Sequence, residues 1–386
     1  MPGALDGLLV ADFSRVLAGP YATMLLADLG ATVVKVERPG AGDDTRGWGP
    51  PFADDGQATY FQAVNRNKRS IALDLSDPDD ADVATRLAET ADVLVENYRP
   101  GALERFGLDA ASVRARNPRV VYCTITGFGS GGGAGLPGYD LLVQATGGLM
   151  SITGTDQPTK AGVALVDVLT GLHATVGILA ALQHRDRTGE GQHVEVSLLG
   201  SLQSSLVNQI SSVVGAGVVP TYLGNAHPSI APYEVFQAAD RPMILAVGND
   251  GQFARLAEVL GRGDLATDPR FATNTARVAH REELVSLIES VLRARGADHW
   301  QQVITEAGVP CGPINDIAQG LTLAESLGLD PVVTIDDPRR PGTHRQVANP
   351  VRYSDTPASY RTAPPELDED RPEVLALLGL TSEAGS

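Results

Sequence analysis

The first 125 residues switch repeatedly between short runs of β-branched and aliphatic residues and longer stretches with helical spacing. That alternation is the pattern of strand–helix–strand units and a parallel sheet. Residues 8–13 (LLVADF) and 32–37 (TVVKVE) read as buried strands, with a helix over 20–29 closed by Gly30. The strand pattern returns at 70–75, 92–96 and 119–126. Ser76 as cap, with Asp77 and Pro78, opens a helix that reaches Thr90, and the run 100–105 (PGALER) starts another. This half is predicted to be doubly wound α/β.

From 138 to 214 the pattern turns mainly helical, with apolar residues nearly all round over 166–182, as expected for a helix buried inside a domain. Residues 192–197 add one more strand. The texture changes at 215–232, rich in Gly, Pro, Asn and His, which reads as a linker into a smaller unit. That unit opens with a strand at 243–247, followed by helices near 252–260, 281–294 and 299–307. Beyond Leu329 the chain is rich in Pro, Arg and Asp, with a strand predicted at 332–335. So long an irregular tail is expected to lie across another surface instead of forming its own core.

Composition removes several classes of function. Asp and Glu outnumber Lys and Arg by 47 to 30, a net charge of −17, which repels phosphate backbones and argues against nucleic acid or an anionic membrane as partner. Lysine occurs only at 35, 68 and 160, leaving 27 arginines. Two cysteines, Cys123 and Cys311, exclude a disulfide scaffold and any cysteine-based metal centre. Asp6 and Asp12 stand where a secretory leader would be basic, and the most apolar stretch, 174–182, is far shorter than the ~20 residues of a membrane helix. A cytoplasmic protein is expected.

Strand–helix–strand followed by Glu37 invites a dinucleotide-binding reading, with the acid on a ribose. The segment 12–20 (DFSRVLAGP) has one glycine where that reading needs three, so it fails and Glu37 reads as a solvated edge residue. What the half does offer is cations just past strand ends: Arg15, Arg38, Arg46, Lys68, Arg69, Arg99 and Arg105. Strand C-termini of an open α/β sheet converge on one crevice, so these side chains can meet around a polyanion; each can equally be an ordinary surface cation.

Segments 12–20, 35–39 (KVERP) with 42–46 (GDDTR), 65–70 (NRNKRS) and 96–101 (ENYRPG) running to Arg105 resemble, in order, the signatures of class III coenzyme A transferases. The likeness continues through 162–167 (GVALVD), 171–173 (GLH), 189–192 (GEGQ), 224–228 (GNAHP), 231–233 (APY) and 308–313 (GVPCGP). That family includes formyl-CoA and carnitine CoA-transferases and, by kinship, α-methylacyl-CoA racemases. The resemblance implies an α/β fold with a Rossmann-like large domain over 1–214, to which 330–386 returns. A linker at 215–232 and a smaller α+β domain at 233–329 complete the chain, in an interlocked homodimer.

The resemblance also implies roles. Arg38, Asn97 and Arg105 match CoA-binding positions, Lys68 and Arg69 lie in a CoA-contacting segment, and Val16 matches a position at the thiol end of CoA. Guanidinium groups suit phosphates because they donate bidentate, charge-assisted hydrogen bonds. Asp167 matches the nucleophile. On residues alone it reads as an N-cap of the long apolar helix; near helix N–H groups, a carboxylate stays ionised and can attack a thioester. The implied cycle runs through an aspartyl mixed anhydride and an aspartyl-CoA thioester, with coenzyme A entering as substrate and neither ATP nor metal required.

Such intermediates must be kept from water. Residues 127–135, with six glycines in nine, and the segment 224–228 are candidate mobile covers, and His227 reads either as an acyl contact or as a turn-stabilising residue. Racemases of the family carry a His-Asp pair where this chain has Tyr139 and Asp140, and tyrosine, with a pKa of ~10, is a poor base. Racemization is therefore the second reading and silent acyl-CoA binding the third. Tyr139-Asp140 resembles the Tyr-Glu pair of formyl-CoA transferases, with Asp140 placed to orient an acyl carboxylate or a water. Leu17 replaces a glutamine of the formate and oxalate enzymes. The style of 43–52 and 224–228 most resembles the branch using short dicarboxylyl-CoA donors such as succinyl-CoA.

Overall fold

Six short parallel strands frame the first half of the computed structural model, which describes residues 2–340 and 342–380. In chain order they and their helices are β1 (Leu9–Asp12), α1 (Ala18–Asp28), β2 (Thr32–Glu37), α2 (Thr59–Gln62), β3 (Lys68–Ala72), α3 (Pro78–Thr90) and β4 (Val93–Glu96). There follow α4 (Ala110–Arg116), β5 (Val121–Thr126), α5 (Asp140–Thr146), α6 (Leu165–Thr188), β6 (His193–Ser197), α7 (Leu198–Ser205) and α8 (Val207–Ala216). The sheet order is β3-β2-β1-β4-β5-β6. It reverses between β1 and β4, and ligands of open parallel sheets bind outside the strand ends at such a reversal.

Alternation along each strand fills two cores. Val10, Val33, Val93, Val95 and Val121 face α1, α6 and α7, while Leu9, Ala11, Val34, Val36 and Leu94 face α3 and α4. Each aliphatic side chain so removed from water contributes about 1.5–3 kcal/mol. Helix α1 comes so near α6 at Gly171 that a Cβ there would lie 2.7 Å from the Ala18 carbonyl oxygen.

Several expectations need correction. The third strand starts at Lys68, two residues early, and the run from Pro100 is a turn with a single 3-10 turn at Glu104–Phe106. The helix forms only at α4, once Asp109 caps the Ala111 and Ser112 amides. Glu37 is buried, not solvated: it takes a two-pronged bond from Arg46 and one from Ser70. Among the described residues α6 is long and apolar enough to cross a membrane, longer than the apolar stretch alone suggested. It is not buried all round: Val166, Ala174, Ile178 and Ala181 sit in the core, while Leu172 and Val176 are bare.

The chain divides into two units, one of Met1–Leu149, Ala161–Val218 and Asp330–Ser386, the other of Met150–Lys160 and Val219–Leu329. The second has an antiparallel sheet β7-β8-β9 built from β7 (Tyr233–Gln237), β8 (Pro242–Ala246) and β9 (Cys311–Pro313). Its helices are α9 (Asp250–Val259), α10 (Asn274–Ala279), α11 (Arg281–Leu292), α12 (Ala297–Glu306) and α13 (Ile317–Ser326). Phe236, Leu245, Phe253, Phe271 and Ile304 make its core.

The last segment is more regular than expected: β10 (Val332–Ile335) pairs with β11 (His344–Val347), and α14 (Arg371–Leu377) packs its Val374 into the first unit's core. Its carboxylates finish the exposed edge of β3, where the Ser70 amide donates to Asp370 and the Ala72 amide to Asp368, both at 2.8 Å. Edge amides left open invite pairing with other chains, and here side chains close them.

Candidate active site

The chain leaves β1 through Ser14, Arg15 and Val16 before entering α1, and leaves β4 through Asn97, Tyr98 and Arg99. These two exits, with 125–129 at the end of β5 and just beyond it, enclose a cavity of about 450 Å³ beside the order reversal. That volume lies within the range of small-molecule sites. Asp167, in the first turn of α6, lines it, as do Val16, Tyr139, Trp48 and the glycine-rich 127–138 segment. A narrower recess of about 130 Å³ shares Arg15 and Tyr98 with it and carries Arg38.

Asp167 is the unusual group. Burial, with the charge of Asp140 added, pushes its carboxyl up to about 7. Asp140 itself heads α5 and spends both oxygens, one on the Val166 amide at 2.8 Å and one on Gln144 Nε2 at 2.6 Å. It therefore caps α6 from a neighbouring helix and acts on Asp167 through its field, with one acceptor position of each oxygen committed to the protein. Gln144 Oε1 in turn accepts the Ala161 amide, so the approach to α6 is pinned by one short relay. Tyr60, edge-on to Trp48 at 5.3 Å, has its hydroxyl pKa raised by burial and then by Asp167.

Under the cavity lies a buried ionic network. Lys68 Nζ donates to Asp12, Asn65 and the Pro20 carbonyl, and Lys35 Nζ to Asp43 and the Ser14 carbonyl. Burial pulls the Lys68 ammonium down to about 8 against the attraction of Asp12. Burial works against Asp43 too, yet Lys35 beside it and bonds from Thr45 hold its carboxyl at about 2. Unpaired, any of these charges would cost several kcal/mol, about 3–5 when one partner is removed.

The predicted site residues thus divide. Val16, Asn97, Tyr139 and Asp167 come together in the cavity, and Arg38, its side chain 64% exposed and 3.6 Å from Asp44, stands in the adjoining recess. Lys68 is wholly enclosed, and its three bonds leave it no reach to a ligand, which corrects the expectation of a CoA contact. Arg69 pairs with Glu373 beside α14, and Arg105 stacks on Phe106; neither lines the two cavities. Arg46 is structural, lying 3.8 Å over Phe61 while it holds Glu37. Trp48, Tyr60 and the Lys35–Asp43 pair were not singled out from sequence. A signal existed for the last: a lysine inside TVVKVE, in a chain with three lysines, must either reach an edge or find a buried partner. Among the described residues no cluster of three or more His, Cys, Asp or Glu is arranged to hold a metal.

A doubly wound parallel sheet with a raised-pKa carboxylate lining its switch-point crevice describes an α/β enzyme that binds a small molecule. The model of CoA-transferase family III matches residues 5–371, and the chain belongs to that family. It is 46% identical, over 97% of its length and 95% of the relative's, to the succinate–glutarate CoA-transferase of Agrobacterium fabrum. It is 41% identical, over 95% of its length and 94% of the relative's, to the acetyl-CoA:oxalate CoA-transferase of Acetobacter aceti. A CAIB/BAIF family protein from Brucella suis superposes with a TM-score of 0.87 at 42% identity, covering 98% of this chain and all of that one. The protein is a CoA-transferase acting on CoA thioesters.

Proposed function

We propose that this enzyme moves CoA from a short dicarboxylyl-CoA, succinyl-CoA foremost, to a second small carboxylate, with Asp167 as the covalent carrier. The observation that carries the reading is the half-buried Asp167 carboxylate in the switch-point cavity, with its pKa pushed to about 7. A carboxylate stripped of water is a stronger nucleophile than an exposed one. The ionised oxygen attacks the thioester carbonyl and CoA leaves as thiolate, giving a mixed anhydride. The thiolate then attacks the aspartyl carbonyl, releasing the donor carboxylate and leaving aspartyl-CoA. An incoming carboxylate reverses both steps, so each bond broken is matched by one formed and the thioester is conserved.

Arg15, Arg38 and Arg99 around the crevice supply the cations a CoA phosphate needs. The choice of donor follows the relative named for succinate and glutarate, and Leu17, buried against Met24 and Val64, offers no polar group to a formate or oxalate. Unit 1 leaves Leu172 and Val176 of α6 and Val207, Val213 and Val214 of α8 exposed, in keeping with a homodimer of interlocked chains. Sedimentation at nanomolar concentration should then return a dimer, and a folded monomer would contradict it.

Asp167→Asn is the test. Transfer should vanish with CoA binding retained, and the wild type treated with acyl-CoA and then hydroxylamine should carry its modification on the Asp167 peptide. Activity surviving in the variant overturns the mechanism; α-proton exchange with deuterated water and no adduct would favour racemization. Stability gives a second readout. A carboxyl whose folded pKa is raised is penalised once the unfolded chain ionises it, so the penalty is absent below about pH 4 and complete above about 7. Asp167→Asn should therefore melt higher than wild type at pH 8, by roughly 1–3 kcal/mol after allowance for its solvent-facing side, and equal it near pH 3.5.

A further inference from the structure

Val16 holds φ at +71°, a region that β-branched residues avoid because the side chain meets its own backbone. Strain of this kind persists only where the surroundings over-determine it. They do so here. From the Ser14 amide to the Val16 amide every main-chain polar group is held by a side chain from another part of the fold or from β1. The Ser14 amide donates to Asp12 at 3.0 Å, and the Ser14 carbonyl accepts from Lys35 at 2.9 Å. The Arg15 amide donates to Asn97 Oδ1 at 3.0 Å and the Arg15 carbonyl accepts from Asn97 Nδ2 at 2.7 Å. The Val16 amide points at both oxygens of Asp43, at 3.3 and 3.2 Å.

Such fastening exceeds what a surface turn needs, and the fastened peptide forms one wall of the Asp167 cavity. Asn97 reaches it from the end of β4, and Asp43, seated on Lys35 and Thr45, from beyond β2. The clamp thus spans the three strands next to the order reversal. We infer that Asn97 and Asp43 are positioning residues for CoA transfer, acting through the strained Arg15–Val16 peptide by fixing the cavity wall in its working shape before substrate enters. This rests on the reading that transfer occurs in the Asp167 cavity. It assigns the Asn97 side chain to the protein's own main chain in place of the ligand. A wall misplaced by about 1 Å can cost on the order of 100-fold in rate, whereas affinity for the distant part of a CoA molecule need not change.

The test is a split of kinetic constants. Asn97→Ala should lower kcat by about 10–100-fold while the Kd of free CoA, measured by calorimetry, stays within about threefold. Adding Val16→Gly should recover at least about fivefold of that loss, because glycine adopts φ near +70° without strain and no longer needs to be forced there. Should the alanine variant not fold, Asn97→Ser carries the same comparison. Two results overturn the inference: an unchanged kcat, or a CoA Kd that rises by the full factor lost in kcat/KM, which would make Asn97 a ligand contact. A loss that Val16→Gly leaves untouched also rejects it, since the strain would then not be what the clamp holds. Asp167→Asn is assayed alongside. Activity remaining there removes the underlying reading, whereas inactivity there with a wild-type kcat in Asn97→Ala removes only the clamp.

Discussion

The candidate covers 127–135 and 224–228 look alike on sequence, both offering glycine and short side chains, yet with their flanks to 138 and 234 they are held very differently. The first folds back on itself at a neck where Gly127 and Gly138 nearly touch: a Cβ on Gly138 would lie 2.6 Å from the Gly127 Cα. Its internal bonds are short-range, from Gly129 to Thr126, Ala134 to Gly131 and Leu136 to Gly133. The second is stapled by its own unit. Arg281 donates to the His227 and Ile230 carbonyls, Arg277 to the Ala231 carbonyl, and Asn274 to the Ser229 carbonyl while accepting the Ala231 amide. His227 Nδ1 accepts the Ser229 amide, the bond that its turn-stabilising reading calls for. Glycine content measures what a backbone is able to do; distant donors decide what it is allowed to do. Apart from the Leu199 amide on the Gly127 carbonyl, the bonds described for 127–135 are local, whereas 224–228 and its flank are tied by distant side chains.

Removing a staple should produce the largest effect. Arg277 is wholly buried and bonds the Ala231 and Phe271 carbonyls and Asp250. Arg277→Met strands two buried carbonyls and should cost about 3–5 kcal/mol, read as an early melting of residues 219–329 by hydrogen exchange. A variant that melts like wild type would mean that the second segment is no better held than the first.

Gly138→Ala attacks the other side of the comparison. The methyl group forces the neck open, which we expect to lower kcat by about 10–100-fold, or ~1.4–2.7 kcal/mol, while the melting temperature stays within a few degrees. Loss of stability without loss of rate would make the neck a packing feature and not the hinge of a cover.

How much was legible follows the same division between local and distant causes. Strands β1, β2, β4, β5 and β6 announced themselves because apolar runs and their flanking turns are local signals; Gly30 follows the end of α1 and Pro78 opens α3 as expected, although the cap of α3 is Asp77 and not Ser76. What escaped is held by partners far along the chain. Strand β9 exists only by pairing with β8, and α14 is docked through Asp368 and Asp370 to β3, some 300 residues earlier. At the site, Asp167 and Val16 were found through the resemblance, and the structure brings both to the cavity. Lys68 and Asn97 were recognised as belonging there, but their bonds run to Asp12 and to the Arg15 main chain. A motif fixes which residues stand near the chemistry. It does not say whether each one turns toward the ligand or toward the protein.

The smallest predicted effect separates the chemistry from both segments. Asp167 must be ionised to attack, so kcat/KM should rise with pH along a limb centred near 7 and level off above it. Asp140→Asn keeps an oxygen for the Val166 amide and removes a negative charge, at the cost of facing Gln144 with a second donor. Without that charge Asp167 ionises more easily, so its pKa falls and the limb moves to lower pH. Burial is the larger cause of the shift and remains in the variant, which limits the movement to less than about one unit, or 1.4 kcal/mol. Relative to its own plateau, the variant should therefore be faster than wild type at pH 6 and equal to it at pH 8.5. Gly138→Ala and Arg277→Met alter cover and scaffold, not the field at Asp167, so their limbs should stay where the wild type has its own. A limb that follows the loop variants and ignores Asp140→Asn would belong to a gating step, and the titrating group would then have to be sought in the loops instead of at α6.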